Sequence, residues 1–248
     1  MYKKEDFEID LPSLDYLENS KLIKKIGMQC TDFSGDLTAY WTSDQADEKG
    51  QALSITAHSQ VVRHNVDTPS GVRPIIRAKN LSSVVRKDVL NGHFPVLEFG
   101  DWYTAKTVQL PNPTNLKFTG RSYPIGETKM GLEVESDNKK YLFFNDKFRL
   151  VVPIEWYYDE ENDLLLSVHS LFYSLKNIKL YNGDFVSFSL FNILDNQVLP
   201  LILDSENKAM TDESLDSEIQ KLLGERRKLD KKINSLLSKQ DKKVYLKK

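Results

Sequence analysis

Tyr40-Trp41-Thr42-Ser43 and Gly71-Val72-Arg73-Pro74, followed later by Leu97-Glu98-Phe99-Gly100 and Pro153-Ile154-Glu155-Trp156, are the stretches on which the fold turns. Each joins aromatic or aliphatic residues to polar, Gly or Pro positions, the composition of a strand meeting a turn. Next to the first pair, Leu53, Ile55 and Ala57 alternate with Ser54, Thr56 and His58, and a second run covers Val61 to Val66 after Ser59-Gln60. Period-two alternation sets one side of a segment against a core, so the two runs read as a hairpin. Asp67-Thr68-Pro69-Ser70-Gly71 then supplies turn residues, and Val72 to Ile76 reads as a strand. Pro74 lacks the N–H needed for a ladder bond, which assigns it to an edge or a bulge.

Working outward from the second pair, strands are expected near 95–99, 130–136, 140–145 and 148–157. Pro111-Asn112-Pro113 and Gly120 mark a long loop between the first two. Asp159-Glu160-Glu161-Asn162-Asp163 is a polar hairpin tip, and Leu164 to Val168 is apolar enough for a buried strand. Leu14, Leu17, Leu22 and Ile23 recur at helical intervals behind Pro12-Ser13, predicting one short amphipathic helix over 11–25. Over 185–203 the apolar residues permit a helix, while Pro200 keeps a strand reading open.

A chain of 248 residues with 40% hydrophobic and 28% charged residues has room for one large domain or two modest ones. Composition divides it into a lobe over 1–80, a polar, basic junction over 81–94, a second lobe over 95–210 and a tail over 211–248. A net charge of -2 gives no general attraction for nucleic acid or anionic lipid. Cys30 is the sole cysteine, so neither an internal disulfide nor a thiolate-rich metal site can form within one chain. With no apolar run near the ~20 residues of a membrane span and no apolar leader, the expectation is a cytoplasmic protein without a membrane segment.

In the tail, Leu215, Ile219, Leu222, Arg226, Leu229, Ile233 and Leu236 follow steps of four and three. That spacing is a coiled-coil seam with one charged interruption, through which copies of the chain would oligomerise. The tail carries 11 basic and 7 acidic residues, but the two signs interleave, as on a solvated helix surface rather than a nucleic-acid contact.

Phe99-Gly100-Asp101-Trp102, Pro153-Ile154-Glu155-Trp156 and Leu164-Leu165-Leu166-Ser167, with Tyr40-Trp41-Thr42-Ser43 and Val72-Arg73-Pro74-Ile75, resemble the motifs of a bacterial and phage domain family of unknown function. Its fold is related to formylglycine-generating enzymes and C-type lectins. Here the closing motifs precede the opening ones, and Trp102-Tyr103 stands where Tyr-Pro is expected. Circular permutation of the halves accommodates that order. The resemblance implies an α+β, C-type-lectin-like mixed domain with permuted halves, a coiled-coil-like C-terminal helix, a bacterial or mobile-element setting, and no assigned activity. Formylglycine chemistry needs paired cysteines, which this chain lacks.

No catalytic constellation emerges, and no cofactor is implied. The four histidines show no metalloprotease spacing, although His58 and His64 share a hairpin with Asp67 nearby. Asp159, Glu161 and Asp163 alternate but lack the Gly and bidentate Glu of a calcium loop. Cys30 reads as a buried small residue. Tryptophan and tyrosine are enriched in binding hot spots, so the binding candidates are Trp41, Trp102, Tyr103 and Arg73, with Trp102 expected to be exposed. The leading expectation is a non-enzymatic binding or assembly protein that meets a protein partner through its loops. The alternative is a metal-dependent hydrolase assembled from residues distant in sequence.

Overall fold

The computed structural model describes residues 2–48, 50–79, 81, 89–91, 94–110, 116–125, 129–176, 178–181, 184–187 and 190–208. The first strands are β1 (Phe7–Asp10), β2 (Cys30–Asp32), β3 (Leu37–Thr38), β4 (Tyr40–Gln45), β5 (Gln51–Ile55), β6 (Val61–Asn65), β7 (Ser70–Val72) and β8 (Ile75–Ala78). The middle of the chain adds β9 (Val89–Asn91), β10 (Phe94–Val108), β11 (Lys117–Ile125), β12 (Lys129–Ser136), β13 (Lys139–Phe144), β14 (Lys147–Asp159) and β15 (Leu164–Ser167). Short strands follow: β16 (His169–Ser170), β17 (Phe172–Ser174), β18 (Ile178–Tyr181) and β19 (Asp184–Ser187). Helices α1 (Leu14–Asn19) and α2 (Lys21–Ile26) lie near the start, and α3 spans 190–208. The architecture is α+β, mainly strand with a few helices.

The largest sheet runs β1-β8-β15-β14-β13-β12-β11, with β10 on the other flank of β14 and β9 beyond it. Its pairings are antiparallel. A second sheet runs β17-β7-β4-β5-β6 and contains the expected hairpin, with Gln51 opposite Asn65 and Ile55 opposite Val61. A third joins β16-β2-β3, and β18 pairs with β19.

The early and late parts of the chain share the large sheet, because β8 pairs with β15 and places Ile75 opposite Leu166. Both faces of this pair are covered. Ile75, Leu164 and Leu166 pack with Tyr16, Leu17, Ile23, Cys30 and Tyr40, whereas Ile76 and Leu165 pack on the opposite side with Trp41, Trp102 and Trp156. A strand buried on both faces needs no polar alternation, which is why Leu164-Leu165-Leu166 is continuous. Residues Tyr2–Ser205 form one compact unit.

Three expectations require correction. The single strand over 72–76 is two strands in two sheets: β7 ends at Val72, β8 starts at Ile75, and Arg73-Pro74 carries the chain across. The helix over 11–25 is a pair broken at Ser20, whose extended backbone (φ -60°, ψ 135°) ends α1 while its hydroxyl accepts from the Leu22 and Ile23 amides that begin α2. The long loop after residue 99 is largely strand, since β10 continues to Val108 and β11 contains Gly120.

The helical alternative for 185–203 holds only for its later part, because 184–187 is strand β19. Within α3, Leu194–Val198 has π-helical bonding just before Pro200. Proline has no N–H and crowds the carbonyl four residues back, and a wider turn relieves both problems. The seam residues Leu215, Ile219, Leu222, Leu229, Ile233 and Leu236 lie outside the described residues. Among the described residues no helix is long and apolar enough to cross a membrane.

Candidate functional site

The crossing at Arg73-Pro74 builds the site. Gly71 lets β7 approach its neighbours: its amide donates to the Ala39 carbonyl at 2.9 Å, and a Cβ there would lie 2.6 Å from both that oxygen and Ser170 Oγ. Pro74 keeps a role in the ladder through its carbonyl, which accepts from the Ser167 amide at 3.0 Å. Between these two anchors, Arg73 is driven inward and is 1% exposed.

The Arg73 guanidinium donates from Nε to the Ser167 carbonyl at 2.9 Å and from Nη1 to the Tyr40 hydroxyl at 3.4 Å, and it lies over the Tyr40 ring at 5.3 Å. The Tyr40 hydroxyl in turn donates a hydrogen bond to the Met28 carbonyl at 2.8 Å. Among the described residues no carboxylate comes within ion-pair distance of Arg73. Arginine keeps its proton at any physiological pH, so a full positive charge is buried here without a countercharge.

Arg73 lines a cleft of about 170 Å³ together with Gln29, Cys30, Thr31, Leu37 and Tyr157. The Cys30 thiol points to the Val168 carbonyl at 3.8 Å. Burial raises its pKa despite the nearby guanidinium, so it stays neutral and supplies no anion. Burial also raises the Tyr40 and Tyr157 hydroxyls. At the rim, Thr31 Oγ1 meets His169 Nδ1 at 2.9 Å, and His169 Nε2 lies 3.5 Å from Glu155 Oε2. The arrangement offers hydrogen-bond donors and a fixed positive charge, and its thiol and phenols are held protonated.

The other sequence-derived candidates serve the core. Trp41 is fully buried and donates Nε1–H to the Ser174 carbonyl at 2.8 Å. Trp102, expected to be exposed, is also fully buried; it donates to the Leu171 carbonyl at 3.0 Å and meets Tyr123 edge-on at 5.4 Å. Tyr103 is 3% exposed, stacks on Trp102 at 5.3 Å and donates to the Pro124 carbonyl at 2.9 Å. A buried indole or phenol with its proton satisfied packs and orients, and has no donor left for a ligand.

The hairpin histidines are not brought to a shared centre. His64 lies against the Trp41 ring at 5.0 Å, while His58 occupies the turn after β5. Asp159, expected on a solvated tip, is 3% exposed and accepts from Ser20 at 2.7 Å and Tyr16 at 3.0 Å. Glu161 instead pairs with Lys21 and Asp163 accepts from Tyr158, so the three carboxylates diverge. Among the described residues no group of three or more His, Cys, Asp or Glu side chains is placed to hold a metal ion.

Sequence reasoning missed Gln29, Thr31, Leu37 and Tyr157 as neighbours of Arg73. The available signal was an arginine inside the otherwise apolar run Val72 to Ile76, a position where a charge must be either turned outward or given a partner. No family model matches the chain, and no curated protein or solved structure shows significant similarity to it.

Proposed function

We propose that the protein is a non-enzymatic binding protein that holds a small anionic group of its ligand in the Arg73 cleft. One observation carries the reading: a guanidinium 1% exposed, with no carboxylate partner among the described residues, lines an open cleft. Burying a charge unpaired costs several kcal/mol, and an incoming anion would recover part of that cost. Binding is favoured over turnover by the neutral state of Cys30, Tyr40 and Tyr157 beside that charge.

The wider setting rests on the sequence. The motifs at Tyr40, Val72, Phe99 and Pro153 support a lectin-like scaffold that meets a protein partner in a bacterial cytoplasm, and the seam over 215–236 supports self-association.

A ligand that binds only the folded state stabilises it by about 2.7 kcal/mol at one hundred times its Kd, which for a unit of this size moves the melting midpoint by roughly 5–10 °C. The test is a set of thermal melts with short carboxylates, phosphate, sulfate and nucleotides at matched ionic strength, each ligand being recovered for NMR. The expected result is a saturable rise with at least one anion, recovered intact. A flat response to every anion, or recovery of a chemically altered ligand, would overturn the reading.

A further inference from the structure

We infer that the group taken by the Arg73 cleft is a carboxylate on a short aliphatic stem. The inference deepens the binding reading above and rests on it. Nε of Arg73 is committed to Ser167 and one Nη1 proton to Tyr40, leaving three of its five N–H donors without a partner among the described residues. A guanidinium edge with parallel N–H bonds matches the two oxygens of a carboxylate.

Charge and size narrow the class. The cleft presents one permanent positive charge, and its lining residues include no second cation. A monoanion is neutralised by Arg73. A phosphate dianion would bring a second negative charge that no cation among the lining residues can meet. The space, about 170 Å³, is smaller than the roughly 300–1,000 Å³ of pockets that take drug-sized ligands, which suits a carboxylate on a short stem. Ile26, Leu37 and Val168 offer apolar wall to such a stem, while Gln29 and Thr31 are polar. The stem can belong to a free acid or to the end of a peptide; the recognised chemistry is the same.

The test uses the full chain labelled with ¹⁵N-arginine. The Arg73 Nε–H is held by Ser167, which shields it from exchange and makes its resonance observable; Arg73→Lys assigns it. Titration with propionate should shift that resonance saturably, with phosphate and sulfate at least tenfold weaker at equal ionic strength. Ala-Ala-Ala and its C-terminal amide separate the sources: either a response to the free acids alone or a further response to the peptide lost on amidation agrees with the proposal. Leu37→Trp changes a half-exposed residue at the cleft and leaves Arg73 intact, so it serves if Arg73 variants fail to fold. It should weaken propionate at least tenfold.

Phosphate or sulfate binding as tightly as propionate would sink the carboxylate assignment and leave the binding reading standing. Silence of Arg73 toward every anion would end both. Unchanged propionate binding in Leu37→Trp would remove the ligand from this cleft.

Discussion

Three buried cations are treated in three ways, and each treatment has a measurable consequence. Arg121, buried at the inner face of β11, is surrounded by carboxylates: Nη1 is 3.5 Å from Glu133, Nε is 3.3 Å from Asp204, and Nη2 donates to the Leu201 carbonyl at 2.8 Å. Glu133 also accepts from the Tyr123 hydroxyl at 2.7 Å. Glu133→Ala leaves that charge and that phenol short of a partner, and urea denaturation should record a loss of about 3–5 kcal/mol. Lys176 has backbone partners instead, donating to the Thr42 and Asp44 carbonyls at 2.7 and 2.6 Å. Burial pushes its pKa down to about 8, against Asp44 and Asp10. Because the unfolded chain retains this proton up to its ordinary value of 10.5 while the native state releases it near 8, stability should rise with pH across that interval. Tyr16, Tyr103 and Tyr123 act in the opposite sense: burial holds them protonated in the native state, so stability should fall once the unfolded chain ionises its tyrosines above about pH 10. Denaturation midpoints measured from pH 7 to 11 should therefore pass through a maximum, and Lys176→Met should abolish the rising limb. Arg73 has a single backbone acceptor, the Ser167 carbonyl, and no carboxylate among the described residues, which sets it apart. Its importance was legible in the sequence only as a charge in an apolar run; what it faces depends on pairings between segments some ninety residues apart, which no local pattern encodes.

At the level of the elements, short helices are held by what they dock on. The pair α1 and α2 is too short to persist alone, and it is fastened by Asp159 at the end of β14, which accepts from Ser20 and Tyr16. Burial works against the Asp159 charge, but the hydrogen bonds from Ser20, Asn162 and Tyr16 outweigh it and lower its pKa. That stabilisation is complete above the ordinary carboxylate range and is lost as pH falls through the lowered native value. Asp159→Asn should flatten the acid limb of a stability profile below about pH 4. Ser20→Ala removes both the cap and a bond to Asp159, and should cost about 1–2 kcal/mol by chemical denaturation. Strand β10 shows the reverse dependence, a strand shaped by a helix. Gly100 has φ +75°, and a Cβ there would lie 2.6 Å from Ile202 Cγ2, with the Ile202 Cα at 3.0 Å. Gly100→Ala should lower the unfolding free energy measured in urea by at least the roughly 1–3 kcal/mol that a left-handed residue costs, before any shift of α3 is counted. The same bend explains why Trp102 was misread. The β10 register slips between Glu98 and Asp101, and Trp102 and Tyr103 are then both buried, so neighbouring side chains stop alternating between core and solvent. The hairpin over 51–65 and the core strand over 164–167 were legible because alternation or continuous apolarity marked them. Strand β11 was hidden because Gly120, which lies inside it, read as loop together with Pro111-Asn112-Pro113.

For the whole molecule, the resemblance suggested two halves, and the described residues show one sheet to which both contribute: β1 and β8 add to the edge of β15. The sequence displayed the strands but not this closure, since pairing partners far apart leave no mark in local periodicity. Self-association through the tail is a separate question with its own measurement: ending the chain after Met210 should lower the mass found by light scattering, and an unchanged mass would dismiss the seam. The union of β8 with β15 also bears on how the protein is made. Ile75 cannot meet Leu166 until the ribosome has delivered both, and at about 5–20 residues per second the intervening stretch takes on the order of 5–20 s to synthesise. For that time the nascent β8 segment, with Ile75 and Ile76, lacks the strand that will cover it. The newborn segment that carries β8 is thus a natural client for chaperones that grip exposed aliphatic segments, and slowing translation should lengthen that dependence.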